Sequence, residues 1–209
     1  MSIFCSAKKT CAPHLLMMLT VGFSCLAQAL DFSVEREDNV EESIDYIYYE
    51  IEDPALTGQS LKQSLDAATP VVKAGVKRHG ENRWLIRWQS TTQQQESSCK
   101  VTDVSVTLNA TVLLPELSAS EPEIQSTFND YVAALQEYLL LHYVVALQAA
   151  NKIELAILNL PPASDCKVLE QQADEKARAI VKEHREKGQS LDAMTDYGVK
   201  QGVVLEGTN

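Results

Sequence analysis

Three of the four histidines in this sequence are candidates for chemistry, because an imidazole can bind a metal ion or transfer a proton near neutral pH. His142 lies on an apolar stripe at helical spacing, which is more typical of a hydrogen-bonded core or groove histidine than of a metal ligand. His184 lies near the C-terminal end of a predicted helix, where the helix dipole favours a partly charged ring. His79 precedes a glycine in a polar turn, so we expect it to be exposed. These patterns favour structural roles for all three.

A metal site is the alternative for the same side chains. His142 and His184, together with a carboxylate such as Asp192 or Asp196, would supply the nitrogen and oxygen ligands that zinc uses. Nothing in their spacing requires this arrangement. We therefore expect no cofactor, and zinc only if such a rebuilt site exists.

The N-terminal segment is typical of a secretory signal. Two lysines precede a short apolar run, and Ala27-Gln28-Ala29 matches the small-residue pattern of a cleavage site. We expect residues 1–29 to be removed and residues 30–209 to form one secreted or periplasmic domain. A transmembrane span needs about 20 apolar residues, more than this run provides. Lipid attachment at Cys25 is a second alternative.

The charge of the chain limits its partners. Lys and Arg number 18 against 29 Asp and Glu, and loss of the signal removes two lysines, which leaves a formal charge of −13. Such an acidic surface is unsuited to nucleic acid, whose binding depends on cationic side chains. We expect no nucleic-acid partner and no transmembrane span in the mature chain. A peptide or an envelope protein is the expected kind of partner, and the sequence leaves the oligomeric state open.

Cys99 and Cys166 are the two cysteines that remain after the signal. An even pair in an oxidising compartment predicts one disulfide. Two separate buried thiols, or a metal or redox pair, are the alternatives. The wide separation of the two cysteines lacks the close spacing of CxxC chemistry, and therefore favours the disulfide.

Strand patterns occupy the first half of this domain. Ile44 to Ile51 is rich in β-branched and aromatic residues, and a second candidate alternates Trp84, Ile86 and Trp88 with polar residues. A third β-rich run extends from Val101 to Leu114. This alternation predicts an antiparallel sheet with one covered face, on which the two tryptophans belong to the core. A capping-box pattern at Ser60 and Gln63 predicts a short helix before Pro70.

Helical patterns occupy the second half. Apolar residues recur at spacings of three and four from Ile124 to Leu160, which predicts one long helix that ends at Pro161. A further helix is predicted from about Val168 to Lys187, with Gly188 as its C-terminal stop. Strands followed by helices indicate an α+β fold.

Several short segments occur in a characteristic order along the mature chain. They are Tyr48-Tyr49-Glu50-Ile51 with Thr57-Gly58, Arg83-Trp84-Leu85-Ile86-Arg87-Trp88, Cys99-Lys100-Val101, Leu113-Leu114-Pro115, Cys166, and Asp192-Ala193-Met194-Thr195-Asp196-Tyr197-Gly198. Together they resemble a bacterial family of predicted secreted zinc-dependent proteases whose domain is otherwise of unknown function. The resemblance covers most of the mature chain. It implies a zincin-like fold in which an antiparallel sheet packs on a long helix.

The active-site motif of that family is degenerate in this sequence. The family has His-Glu-x-x-His on its long helix, where two histidines bind zinc and the glutamate acts as general base. The corresponding residues are His142-Tyr143-Val144-Val145-Ala146, so the base is replaced by Tyr143 and the second ligand by Ala146. The closing motif has Tyr197 where the family usually has a histidine, a third ligand. The resemblance therefore implies a protease fold without an intact zinc site.

Three functions from different classes remain. The first is a non-catalytic relative of a secreted zinc protease, a pseudo-protease that acts as a binding or regulatory module. The second is an active metallopeptidase with a rebuilt zinc site. The third is a structural protein of the cell envelope. We favour the first, because both metal binding and the base have been substituted.

Overall fold

A computed structural model describes residues Val40–Leu205. The predicted signal at residues 1–29 and the alternative lipid site at Cys25 lie outside the described residues.

Three long strands form the main sheet of the described chain. They are β1 (Val40–Glu50), β4 (Glu81–Gln94) and β5 (Cys99–Glu116), in the order β1-β5-β4. β5 pairs with β4 in the antiparallel direction, as predicted, but with β1 in the parallel direction. The expectation of a purely antiparallel sheet is therefore corrected to a mixed one. The reason lies in the path of the chain. β4 and β5 are neighbours joined by a short turn and pair antiparallel, whereas the long connection between β1 and β5 allows β1 to pair in parallel with the other edge of β5.

β5 supplies the covered face of this sheet. Alternate side chains along it are fully buried, which matches the predicted period of two. These residues are Val104, Val106, Leu108, Ala110, Val112 and Leu114. The tryptophans of β4 are only half-buried, although both pack against the core. The core prediction therefore holds for β5 and in part for Trp84 and Trp88.

The segment between β1 and β4 contains two short helices and a hairpin. α1 is Pro54–Thr57 and α2 is Leu61–Ala68, while β2 (Val71–Lys73) and β3 (Val76–Arg78) form the hairpin. α2 begins with the predicted capping box, in which Ser60 and Gln63 each accept a hydrogen bond from the backbone of the other. The hairpin turn has positive φ at its two central residues, the backbone of a tight two-residue turn.

A 37-residue helix, α3 (Pro122–Leu158), packs across the sheet. It ends just before Pro161, and its bounds confirm the predicted long helix. The N-terminal half packs against β5 and α2, and the C-terminal half against the sheet and the last helix, α4 (Cys166–Thr195). α3 therefore links both halves of the hydrophobic core.

Among the described helices, α3 is the one with the length and composition to cross a membrane, with a mean hydropathy of 1.2 in its most apolar window. Central helices of soluble proteins share this property. Ala146, Ala150 and Ile153 of α3 are fully buried between the sheet and α4, while 33% of the most apolar window as a whole is buried. The expected absence of a membrane span in the mature chain stays a prediction.

The last helix is longer than its sequence pattern predicts. α4 continues through Gly188 to Thr195, so the prediction that Gly188 ends it was wrong. This glycine instead lies where α4 approaches α3, and a Cβ added to it would lie 3.5 Å from Nδ1 of His142. The helix ends at Asp196 and Tyr197, both in the left-handed region, followed by Gly198. A 3₁₀ turn, Val199–Gln201, comes next.

The predicted disulfide is present between Cys99 and Cys166, with a Cα–Cα distance of 5.0 Å. It joins the first residue of β5 to the first residue of α4. The backbone of Cys99 also exchanges two hydrogen bonds, of 2.8 and 3.0 Å, with Ala163. These bonds attach the start of the last helix to the hairpin end of the sheet.

Candidate functional site

A cavity of about 310 Å³ lies beside the N-terminal half of α3. α2, the β2–β3 hairpin, α3, the end of α4 and the segment that follows it all contribute to its wall. Its volume is at the lower end of the range for small-molecule sites. Two histidine–carboxylate pairs line it, one predicted from sequence as a candidate and one that the sequence did not indicate.

The first pair joins α3 to the end of α4. Nε2 of His142 lies 2.9 Å from Oδ1 of Asp192. The hydroxyl of Tyr138, one turn before His142, donates a hydrogen bond to the same carboxylate oxygen. The rings of Tyr138 and His142 meet edge to face, with centroids 5.3 Å apart. His142 and Asp192, two of the four candidate residues, are therefore brought together.

Burial disfavours the ionised form of Asp192, but the hydrogen bonds from His142 and Tyr138 outweigh this effect. They hold the pKa of Asp192 below its ordinary value. Burial, together with the hydrogen bond to Asp192, raises the pKa of Tyr138, so this phenol stays protonated and remains a donor. The three side chains form a stable network around one negative charge.

A glycine holds this network in place. Gly198 has φ of +91°, and a Cβ added to it would lie 2.8 Å from Cγ of Tyr138 and 2.7 Å from a methyl group of Val203. A side chain at this position would therefore be strained in its backbone and would displace the tyrosine ring. Gly198, the last residue of the closing motif, therefore allows the ring of Tyr138 to pack against the backbone.

The other two positions of the degenerate motif are not at the cavity. Tyr143 packs against the core and its hydroxyl donates a hydrogen bond to a carboxylate oxygen of Glu42 in β1. Ala146 is completely buried among the core residues between the sheet and α4. Neither residue lines the cavity, whereas His142 and Tyr197 do.

Tyr197 forms one wall of the cavity through its contact with Arg78 of β3. The guanidinium carbon lies 3.6 Å from the centroid of the phenol ring, a cation–π stack. The backbone of Tyr197 is in the left-handed region, with φ of +53°. Tyr197 thus holds the guanidinium of Arg78 at the cavity wall.

The second pair was missed by sequence reasoning. Oδ1 of Asp66 lies 2.9 Å from Nε2 of His79, and the hydroxyl of Tyr131 lies 2.6 Å from Nδ1. Only 10% of the His79 side chain is exposed, so the prediction of a solvent-exposed histidine was wrong. Tyr49 also donates a hydrogen bond to its carbonyl oxygen. The polar neighbours of His79 in sequence gave no indication of these partners, which lie in α2, β1 and α3.

Burial lowers the pKa of His79, although the carboxylate of Asp66 opposes this shift. Burial also raises the pKa of Tyr131, so its phenol stays protonated. A neutral ring can then donate from Nε2 to Asp66 and accept at Nδ1 from Tyr131. The three side chains form a second hydrogen-bonded chain along the cavity wall.

His184 does not line the cavity. Its side chain is buried, Nδ1 donates to the carbonyl of Ile180 at 2.9 Å, and Lys187 lies 3.3 Å from Nε2. Because α4 continues beyond it, the expected helix-end position was wrong. Burial lowers its pKa, so the ring is held neutral rather than favoured as a cation. These contacts indicate the structural role that the sequence favoured.

The cavity offers few side chains that could bind a metal ion. Among residues 40–205, no group of three or more His, Cys, Asp or Glu side chains is arranged to hold a metal ion. His142 and Asp192 are the closest approach to the predicted rebuilt site, and each already bonds to the other. Asp196 forms the left-handed end of α4 and does not line the cavity.

The cavity is more cationic than the chain as a whole. Four basic residues line it against two carboxylates, those of Asp66 and Asp192, although the chain has a net charge of −11. The four basic residues are Lys62, Lys73, Lys77 and Arg78. The local excess of positive charge favours an anionic ligand.

Comparison with known proteins assigns the chain to a family. No curated protein and no solved structure matches it. Residues 46–198, which include both histidine–carboxylate pairs and the disulfide, match the model of a family described as bacterial protein of unknown function. The chain belongs to this bacterial family, DUF922.

Proposed function

We propose that the chain is exported and acts as a non-catalytic binding or regulatory module, built like the secreted zinc-dependent proteases that its sequence resembles. The observation that carries this proposal is the pairing of His142 with Asp192. The one histidine kept from the motif is engaged in a hydrogen-bonded network. The position of the second ligand lies in the core, and Tyr143, at the position of the base, packs against the core and does not line the cavity.

The cavity lacks two groups that zinc-dependent hydrolysis requires, the second zinc ligand and the general base. Ala146 has no atom that could bind zinc, and it is fully buried. Tyr143 would need to ionise far below the usual phenol pKa of about 10 to act as a base at neutral pH. Its hydroxyl is also bonded to Glu42, away from the cavity. A cavity that keeps His142 but has these two substitutions supports binding without turnover.

One observation favours a second candidate, an active metallopeptidase with a rebuilt zinc site. His142 and Asp192 offer a nitrogen and an oxygen within 2.9 Å of each other at the cavity wall. Zinc would have to replace the hydrogen bond between them and recruit a third ligand. A structural role in the envelope is the third possibility, and it requires no ligand at all.

The first experiment measures the metal content of the chain from Leu30 to Asn209. The protein is purified without a histidine tag, exposed to zinc, dialysed and analysed by elemental mass spectrometry. We expect no stoichiometric zinc and no cleavage of a fluorogenic peptide library. About one zinc per chain, lost in His142→Ala, would establish the rebuilt site instead. His184→Ala is the matched control, because that imidazole does not line the cavity.

A further inference from the structure

Arg78 differs from two of the other three cations at the cavity in its partners, while Lys77, the third, donates a hydrogen bond to the backbone carbonyl of Asp66. Lys62 pairs with Asp66, and Lys73 lies 3.1 Å from Glu81. The described residues place no carboxylate in a salt bridge with Arg78, whose guanidinium instead stacks on Tyr197. Stacking covers one face of the guanidinium and leaves the donors at its edge. A fork of donors without an anionic partner suits a carboxylate that enters the cavity.

Two buried polar atoms of the lining lack hydrogen-bond partners. Nε of Arg78 is an unpaired donor, and Oδ1 of Asn82 is an unpaired acceptor. The amide nitrogen of Asn82 donates to the carbonyl of Leu139 at 3.2 Å, which fixes the side chain with its oxygen free. Buried polar groups are rarely left unpaired, because each costs free energy unless a ligand or solvent satisfies it. Two residues of the cavity lining thus each hold a buried polar atom that lacks a partner, one a donor and one an acceptor.

The remaining wall is apolar. Leu135 and Leu139 of α3 line the cavity together with Val76 and Val203, and its volume has room for one side chain rather than for a folded domain. A ligand that fits would combine a carboxylate, a nearby N–H donor and a single apolar group. The last residue of a peptide has all three within a few bonds.

We propose that the cavity binds the C-terminal carboxylate of a peptide whose last side chain is apolar, with Arg78 as the anchor of the carboxylate and Asn82 as the acceptor of the adjacent N–H. This inference rests on the proposed function, in that it names what the non-catalytic site binds. Arg78 is held for this task by Tyr197, the residue that replaces the family's third histidine.

The test uses N-acetylated tetrapeptides that differ only in the last residue, each as a free acid and as an amide. Binding to the chain is measured by isothermal titration calorimetry. We expect free acids with an apolar last residue to bind, and their amides to bind at least about tenfold more weakly, because a charge-assisted bidentate contact is lost. Arg78→Gln should weaken the free acids by a similar factor. Arg78→Lys, which keeps the charge but not the fork, should lose less.

Arg178→Gln is the matched control, since it makes the same change on an exposed arginine of α4, about 20 Å along the helix from Asp192. Equal affinity for acids and amides, or for the wild type and Arg78→Gln, would overturn the proposal. So would binding of inorganic phosphate alone, or of no peptide in the panel. If the chain binds neither zinc nor any peptide of the panel, the proposal of a non-catalytic module stands and only the peptide carboxylate as its ligand is refuted. Circular dichroism verifies that the variants are folded.

Discussion

Gly188 of α4 lies directly against the imidazole of His142 on α3, and a Cβ added to the glycine would lie 3.5 Å from Nδ1. This distance is an ordinary van der Waals contact. Both the helix and the histidine network therefore tolerate one carbon at this point but no larger side chain.

Gly188→Ala should increase the free energy of unfolding by about 0.5–1 kcal/mol, because alanine is the better residue in a helix interior. Gly188→Leu should reduce it, since the larger side chain would displace His142. Urea denaturation of the wild type and both variants measures the effect. A destabilised alanine variant would mean that the two helices lie closer together than the structure has them.

Gly198→Ala should destabilise the protein by about 2–4 kcal/mol, because it combines backbone strain with a clash against Tyr138. Gly202→Ala is the matched control, with a similar φ of +88° but its nearest neighbour 3.8 Å from the added carbon. It should cost only about 1 kcal/mol, from the backbone alone. Equal losses in the two variants, measured by thermal unfolding, would argue against the contact between the glycine and Tyr138.

The disulfide between Cys99 and Cys166 closes a loop with a sequence separation of 67 residues. Its reduction should therefore lower the free energy of unfolding by about 2–5 kcal/mol, mainly because the unfolded chain gains freedom. Thermal unfolding with and without reductant measures the change, and a Cys99→Ala/Cys166→Ala variant that ignores reductant is the control. An unchanged melting temperature would contradict a stabilising role.

The network at Asp192 makes stability depend on pH. Its pKa is lower in the folded protein than its ordinary value of 3.8, so the unfolded chain binds the proton more readily. The contribution is fully present above about pH 5 and is lost as the pH falls through 4 and below. The difference in stability between the wild type and Asp192→Asn should shrink over this range. Asp103→Asn, on the exposed side of β5, is the control for removal of a carboxylate outside the network.

Restoration of the zinc motif of the proteases that the sequence resembles tests that resemblance. Tyr143→Glu, Ala146→His and Tyr197→His together should create zinc binding, visible as a higher melting temperature with zinc than with chelator. Glu42→Gln should be included, because Glu42 would otherwise face the new glutamate. The same protein without Ala146→His is the control. A folded variant that binds no zinc would count against the correspondence, and its stability must be checked because position 146 is fully buried.

The sequence was sufficient for features that depend on neighbours along the chain. The apolar spacing of α3, the alternation of β5 and the capping box of α2 all depend on residues within a few positions of each other. His79 shows the limit. Its partners, Asp66 and Tyr131, are 13 and 52 residues away, and nothing near the histidine indicates them.

Gly188 and the parallel pairing of β1 show the same limit. A glycine after a run of charged helical residues has the pattern of a helix stop, but contact with His142 provides a different reason for it. Strand direction depends on the path of the chain between β1 and β5, which the strand residues themselves do not encode. At the candidate site, sequence resemblance identified His142 and Tyr197, and Asp192 was one of two carboxylates considered for a rebuilt metal site. Arg78 and Asn82 required the fold to bring them to the cavity.

The parallel pairing of β1 also has a kinetic consequence. β4 and β5 are joined by a short turn and can pair as soon as both exist, whereas Val40 of β1 must find Val106 across the whole intervening chain. Contacts of such long sequence separation form slowly, because the loop must be closed before they contribute. We expect β1 to be the last strand to join the sheet during folding. Until then, one edge of β5 stays open, and the folding chain is most exposed to aggregation in that interval.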